Sequence, residues 1–243
     1  MATSAARPLF NPDPQIQSLL LADGQSCYVV DDVLSDPHAL VAWADARRAA
    51  FQPVDFNAYP GNYLLLPAGL DRAIESFFLL HMRPRFNARR LQQIHARLSM
   101  VTLPPQSLRP AQWLCHSDHF GLSPAQSIQA SVLYLFHDER LGGTGFYAPA
   151  RPRHEIEQLF NDAVRMPPEA FRAHYDLAPG YMLDSGRYFE RIGGVAPRWN
   201  RMVFYDGATL HSGDISAPEL LSDDPQQGRL TLNGFYTCRR HAL

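Results

Sequence analysis

His116-Ser117-Asp118, answered far downstream by His211, constrains this chain more than any other feature. On an extended segment side chains alternate, so His116 and Asp118 point one way and Ser117 the other. His211 must then be brought alongside by tertiary structure. It follows the strand-like run Arg201-Met202-Val203-Phe204-Tyr205, so the pattern asks for a fold that sets distant strands side by side. Two histidines and one carboxylate form the facial ligand set that suits non-haem Fe(II) and leaves the remaining coordination positions open. In a chain with 10 histidines one H-x-D triplet means little by itself. A single histidine is more often a surface or hydrogen-bonded residue. The ordered set, followed by the fixed cation Arg229, is far more specific than its parts.

Composition narrows the chemistry further. The chain has 243 residues, a hydrophobic fraction of 46% and a charged fraction of 19%, which are globular values. Its net charge is −2, and no basic run suggests nucleic acid. Neither a signal-peptide core nor a membrane-length apolar stretch is visible, so the expected compartment is cytoplasmic. Cys27, Cys115 and Cys238 are widely spaced and give neither a disulfide framework nor a zinc pattern. All 22 basic residues are arginine. Schiff-base chemistry and a P-loop lysine are therefore excluded, and an acidic cosubstrate would have to be held by arginine, backbone or metal.

Along the chain, Cys27 to Val30 reads as a strand. A helix follows to about Ala50, with Ser35 as its N-cap and Pro37 in its first turn. Residues 57–62 read as a turn, and 70–82 as a second helix with Ile74, Phe77, Phe78 and His81 on one side. From about Leu91 the period changes. Ile94, Ala96, Leu98 and Met100 alternate as in a strand, as do Ile128, Ala130, Val132, Tyr134 and Phe136. The metal triplet is expected on a strand over 113–119. Arg140 to Thr144 makes a turn, Gly145-Phe146-Tyr147 starts another strand, and 152–178 reads as a helical insert. Strands over 188–192, 202–205, 210–211 and 229–238 complete the pattern. One β-rich α+β domain is expected: a double-stranded β-helix (jelly roll) with flanking N-terminal helices.

The order His-x-Asp, Val-Leu-Tyr-Leu-Phe, Gly-Gly-Thr, distal His and Arg-x-Thr resembles the Fe(II)/2-oxoglutarate-dependent oxygenases, in particular the prolyl-hydroxylase-like branch. The opening Tyr28 to Ser35 is similar to that branch as well, and Tyr59-Pro60-Gly61 resembles an uncharacterised bacterial family within the superfamily. The resemblance implies Fe(II) bound by His116, Asp118 and His211. It implies 2-oxoglutarate held at its far carboxylate by Arg229, Thr231 and Tyr134. It further implies hydroxylation of an amino-acid side chain, on a peptide or protein, or of a small metabolite.

On strand geometry alone Arg229, Thr231 and Asn233 share one face, which is either an anion site or a polar surface stripe. The 216–228 segment separates Arg229 from His211, so Arg201, Arg239 and Arg240 compete as the anion partner. Two readings from other classes use the same residues: a zinc hydrolase or lyase, and a non-catalytic jelly-roll binding protein. Substrate identity and oligomeric state are not encoded legibly.

Overall fold

The computed structural model describes residues 9–53, 58–119 and 121–241. Two antiparallel sheets carry the architecture. The larger contains β1 (Ile16–Leu20), β2 (Ser26–Val30), β3 (Gln52–Pro53), β4 (Gly61–Leu65), β5 (Ala88–Val101) and β6 (Gln126–Tyr134). The smaller is built from β7 (Gly143–Pro149), β8 (Phe189–Val195) and β10 (Leu210–Asp214). β9 (Arg201–Asp206) and β11 (Arg229–Arg240) return to the larger sheet. Its order is β1-β2-β9-β6-β11-β5-β4-β3, and that of the smaller is β10-β7-β8. β11 is central, pairing with β5 on one side and β6 on the other.

Alternation divides the larger sheet into two unlike faces. Leu98, Met100, Leu133, Leu230, Leu232 and Tyr236 are buried on one face, in one cluster with Leu40, Ala44, Ile74, Phe77 and Phe78. The last five come from α1 (Pro37–Asp45), α2 (Leu70–Phe77) and the π-helical turn that continues α2 to Met82. Phe78 stacks on Tyr236 with centroids 4.0 Å apart. Each such aliphatic side chain contributes about 1.5–3 kcal/mol by leaving water. On the other face Tyr134, Val203 and Tyr205 meet Phe146, Ile192 and Val195 of the smaller sheet. Arg229 and Thr231 alternate with Leu230 and Leu232, so they look into this inter-sheet space.

Several expectations are corrected. The cap of α1 is Asp36, whose carboxylate accepts from Ala39 N, and the helix ends at Asp45. Aspartate is as good a cap as serine and lies directly before the prolines' permitted first turn. The turn expected over 57–62 begins at Asn57, outside the described residues, and Gly61-Asn62 already belongs to β4. The helical insert is two helices, α3 (Arg153–Arg165) and α4 (Pro168–Tyr175), because Pro167 and Pro168 cannot continue the first. Its cluster includes Trp113, Leu114, Cys115 and Tyr147, while Val164 points to solvent. The segment 113–119 is not a strand but is attached by an isolated bridge. His211 lies in β10, a strand of its own in the smaller sheet, after a turn at Gly207. Among the described residues no helix is long and apolar enough to cross a membrane.

Candidate metal centre and anion pocket

Three backbone contacts set the His116 segment against β10. His116 N donates to His211 O at 2.9 Å, His211 N donates to His116 O at 2.8 Å, and Asp118 N donates to Gly207 O at 2.7 Å. Gly207 has no room for a side chain, since a Cβ there would sit 2.9 Å from Ile128 Cγ2 and 3.2 Å from Asp118 Cβ. The result brings one ligand atom each from His116, Asp118 and His211 within 4.8 Å of one another. His211 Nε2 is 3.5 Å from Asp118 Oδ2, and His116 Nε2 is 3.9 Å from Asp118 Oδ1.

The electrostatics ask for a cation. His211 Nδ1 lies 2.9 Å from the Thr209 carbonyl, which only accepts, so Nδ1 carries the proton and Nε2 presents its lone pair. Burial holds His211 down to about 4. Burial of the ring's inner surroundings and the adjacent His211 likewise lower His116 to about 4 against the pull of Asp118, although its side chain is 54% exposed. Burial raises Asp118 to about 6, opposed by His116 and Arg97. Asp118 Oδ2 is buried with no hydrogen-bond donor among the described residues. Two neutral imidazoles around an unsatisfied carboxylate are costly without a partner, and a divalent cation satisfies all three. The N,N,O donor set on one side suits Fe(II).

Deeper between the sheets lies the second element. Arg229 is 5% exposed, and among the described residues no carboxylate is within ion-pair distance of it. Its Nε donates to Gly142 O at 3.1 Å and its Nη2 to Gly143 O at 2.9 Å. The Gly-Gly pair makes this cradle possible. Gly142 has φ +85, and a Cβ at Gly142 or Gly143 would lie 2.1 Å from Asp214 O or 2.0 Å from Val195 O. The next residue, Thr144, bonds Tyr134 through the two hydroxyls at 2.7 Å. Thr231 is fully buried and donates to Ser99 O at 3.3 Å. Burial raises Tyr134 to about 12 while Thr144 and Arg229 pull it back, so its phenol is in reach of that guanidinium's field. Two carbonyls leave the cation's charge uncompensated, a costly state that an anion relieves.

The structure thus brings His116, Asp118 and His211 together, and separately Arg229, Thr231 and Tyr134. The polar-stripe reading of β11 fails because Arg229 and Thr231 are buried. The competing arginines are elsewhere: Arg201 pairs with Asp31 at 2.6 Å, and Arg239 and Arg240 are exposed. His119 is exposed and His81 belongs to the helical layer. Sequence reasoning missed Tyr59, whose phenol burial raises and Arg229 lowers, and which sits against Thr231 and Ser99. It missed Arg97 and Ser99 on β5. The signal was present: if Leu98 and Met100 face the helices, the polar residues alternating with them, Arg97 and Ser99, face the other way.

Among solved structures, the fold is similar to the non-heme alpha ketoglutarate dependent epimerase SnoN from nogalamycin biosynthesis, at 15% identity over 89% of this chain and 81% of that one, TM-score 0.44. It is similar to a Pseudomonas putida prolyl-4-hydroxylase at 13% identity, covering 90% of each chain, TM-score 0.43. HygX from Streptomyces hygroscopicus, with nickel and 2-oxoglutarate bound, matches at 12% identity over 89% of this chain and 84% of that one, TM-score 0.45. No curated protein matches the sequence. The model of a family of unknown function, DUF6445, matches residues 12–236, and the chain belongs to that family.

Proposed function

We propose that the protein is an Fe(II)- and 2-oxoglutarate-dependent dioxygenase that hydroxylates an amino-acid side chain or a small metabolite. On this reading the two sheets are the halves of one double-stranded β-helix, with the metal near its mouth and the cosubstrate's far end in its interior. The observation that carries it is the pairing of an N,N,O triad with a buried guanidinium that meets no carboxylate among the described residues, the pair of sites a chelating dicarboxylate would span. His116, Asp118 and His211 hold the metal. Arg229, Thr231 and Tyr134 hold the distal carboxylate. When bound, Fe(II) and 2-oxoglutarate supply oxygen activation coupled to oxidative decarboxylation.

The chain's own residues supply the rest. The Thr209 carbonyl fixes the His211 tautomer that exposes Nε2. Gly142 and Gly143 orient the Arg229 plane, so the cosubstrate's approach is set before oxygen arrives. Tyr134, Val203, Tyr205 and Phe146 exclude water from the interior. The test is an anaerobic titration of Fe(II)-loaded protein with 2-oxoglutarate, watching the visible charge-transfer band. Wild type is expected to develop the band, and Arg229→Gln to need far more cosubstrate. No band in protein shown to hold iron would sink the reading.

A further inference from the structure

The helical layer stops short of one end of the sheet it covers. Along β6 the covered face carries Ser127, Gln129, Ser131 and Leu133. Leu133 is in the apolar cluster, and the Ser131 hydroxyl pairs with that of Tyr236 at 3.0 Å. Past this pair the cover gives way to a cavity of about 240 Å³ whose walls include Phe86, Ser127, Gln129, Asp206 and Arg240. Gln129 is 1% exposed. Its Nε2 donates to Ser127 Oγ at 3.1 Å, while its Oε1 is buried and meets no donor among the described residues. A buried acceptor left unmet is costly, and a ligand with an N–H relieves it.

Asp206 stands directly opposite Gln129 in the β6–β9 register, so a carboxylate and a bare amide oxygen lie side by side on one face. Asp206 Oδ1 accepts from Ala208 N at 2.9 Å, and the carboxylate makes no ion pair among the described residues. Arg240 Nε donates to Gln126 O at 2.8 Å, and this guanidinium also meets no carboxylate among the described residues. One cavity is thus edged by an anion and a cation that do not neutralise each other. A lone amine would bring a second cation to Arg240, and a lone carboxylate a second anion to Asp206. A zwitterion suits both: its ammonium bridges Asp206 and Gln129 Oε1, and its carboxylate meets Arg240. Phe86 offers an apolar wall. The cavity is smaller than the roughly 300–1,000 Å³ typical of sites for drug-sized ligands, so it takes a small metabolite and not a peptide.

This cavity lies back to back with the metal centre across the sheet, because Ile128 and Gln129 point to opposite faces. Asp206 opens the turn that ends at Thr209, capping Ala208 N with its side chain and accepting from Thr209 N at 2.9 Å with its carbonyl. In the same turn Gly207 O accepts from Asp118 N, and Thr209 O fixes the His211 ring. One turn therefore forms a wall of the cavity and supplies the backbone holds of two metal ligands. We propose that the cavity is an effector site for a free α-amino acid with a small apolar side chain, and that its occupancy tightens metal binding by steadying the Asp206–Thr209 turn. Ordering by one ligand lowers the cost of ordering for the other, and the coupling is reciprocal. The amino-acid site is independent of the functional reading above; its effector role rests on the metal triad.

The experiment is calorimetric titration of metal-free, full-length protein with L-leucine, isopentylamine and 4-methylpentanoate, then of Mn(II) with and without saturating leucine. Leucine is expected to bind at least about tenfold more tightly than either half-molecule, since each lacks one charge-assisted pair. Arg240→Gln should bring leucine down to the level of the amine, and Asp206→Asn to that of the acid. Arg240 is exposed, so its variant is expected to fold. Saturating leucine should raise Mn(II) affinity about fivefold in wild type and leave it unaltered in Arg240→Gln. Wild type that binds the amine or the acid as well as leucine overturns the proposal whether or not the variants fold. So does binding of no probe, leucine binding undiminished in folded Arg240→Gln, or Mn(II) affinity unmoved by leucine. Protein that binds leucine with the expected preference but no Mn(II) would overturn the metal triad and the effector role, and leave the amino-acid site standing.

Discussion

The two faces of the larger sheet are made by the same strands and do opposite work. On the helix-covered face Leu98, Met100, Leu230 and Leu232 lie in one continuous apolar cluster, with each side chain's needs met by its neighbours. On the face turned to the smaller sheet, Arg229 has carbonyls for company, and among the described residues neither Asn233 Oδ1 nor, across the gap, Asp118 Oδ2 meets a donor. One face is internally satisfied and stores stability. The other is internally unsatisfied, and its unmet groups are complementary to a cation and to anions. Buried polar groups without partners mark where a ligand is expected to complete the structure.

If this division holds, substitutions should separate cleanly into those that remove function and those that remove fold. The largest functional effect is expected from Asp118→Asn. A directly ligating carboxylate is lost, so divalent metal affinity should fall by on the order of 100-fold or more, with turnover lost. The apo protein should melt no lower than wild type, because an unsatisfied buried charge has been removed. Metal titration and thermal melts on the same samples check both halves. A large drop in the apo melting temperature would mean that Asp118 is structural.

Leu232→Ala should do the reverse. Leu232 is fully buried against the helical layer. Its truncation is expected to cost about 2–5 kcal/mol of unfolding free energy by urea titration. Metal and 2-oxoglutarate affinity per folded molecule should not change. Arg229→Gln comes next. It removes the cation but leaves a polar group able to meet Gly142 and Gly143. Stability should move by about 1 kcal/mol, whereas 2-oxoglutarate affinity should weaken by about 10- to 100-fold. If the affinity is unaltered, the buried guanidinium serves the fold alone and the two faces are not functionally distinct.

These contrasts also explain what could be read from residues alone. The alternation Ile94 to Met100 and 128–136 located β5 and β6, since half-buried strands write their geometry as a period of two. The i, i+2 spacing put His116 and Asp118 on one side of an extended segment, and the structure brings His211 within reach of both. That same logic overreached in making 113–119 a strand. Two ligands need only extended backbone, and one bridge to His211 with one bond to Gly207 supplies it. Ser35 lost the cap to Asp36, a choice decided by one residue of register that propensity does not resolve. Arg97 follows from the same alternation as Ser99, but Tyr59 stayed hidden for a different reason. It precedes β4, and only the β4–β5 pairing brings it against Ser99 and Thr231, a register that no local pattern writes.

A change of pH sharpens the same comparison without mutation. Asp118 is raised to about 6, and a metal must displace its proton. Metal affinity should therefore be level above about pH 6.5 and fall as pH drops through 6. The histidines, held near 4, add their own losses only lower down, so the curve should steepen toward pH 4. The fold of the apo protein follows a different sign rule. Asp118, raised above its unfolded value, gains stability as pH falls from 6 toward 4. Buried His211, lowered to about 4, loses it over 6.5 to 4, so the two opposing effects largely offset and apo stability should change less than metal affinity. Metal binding monitored from pH 7.5 to 5 that stays flat would place the carboxylate's titration elsewhere and weaken its assignment as a ligand.

The smallest effect is the sharpest control. Arg201 is also on the inner side of a strand of the larger sheet, next to Tyr134 in register, and on sequence grounds it competed with Arg229 for the anion. The difference between them is a partner. Arg201 meets Asp31 through two bonds, Nε to Oδ1 at 2.6 Å and Nη2 to Oδ2 at 3.0 Å, and it gives Nη1 to the Ala196 carbonyl. A fork so occupied has no charge left to offer, and the pair's side chains are 20% and 24% exposed. Arg201→Gln is expected to cost about 1 kcal/mol of stability and to leave 2-oxoglutarate affinity within about twofold of wild type. Run beside Arg229→Gln, it asks whether a buried arginine becomes a ligand site by being cationic or by being left without a carboxylate. Equal loss of cosubstrate in the two variants would show that burial and charge suffice. Loss in Arg229→Gln alone would show that the missing partner decides.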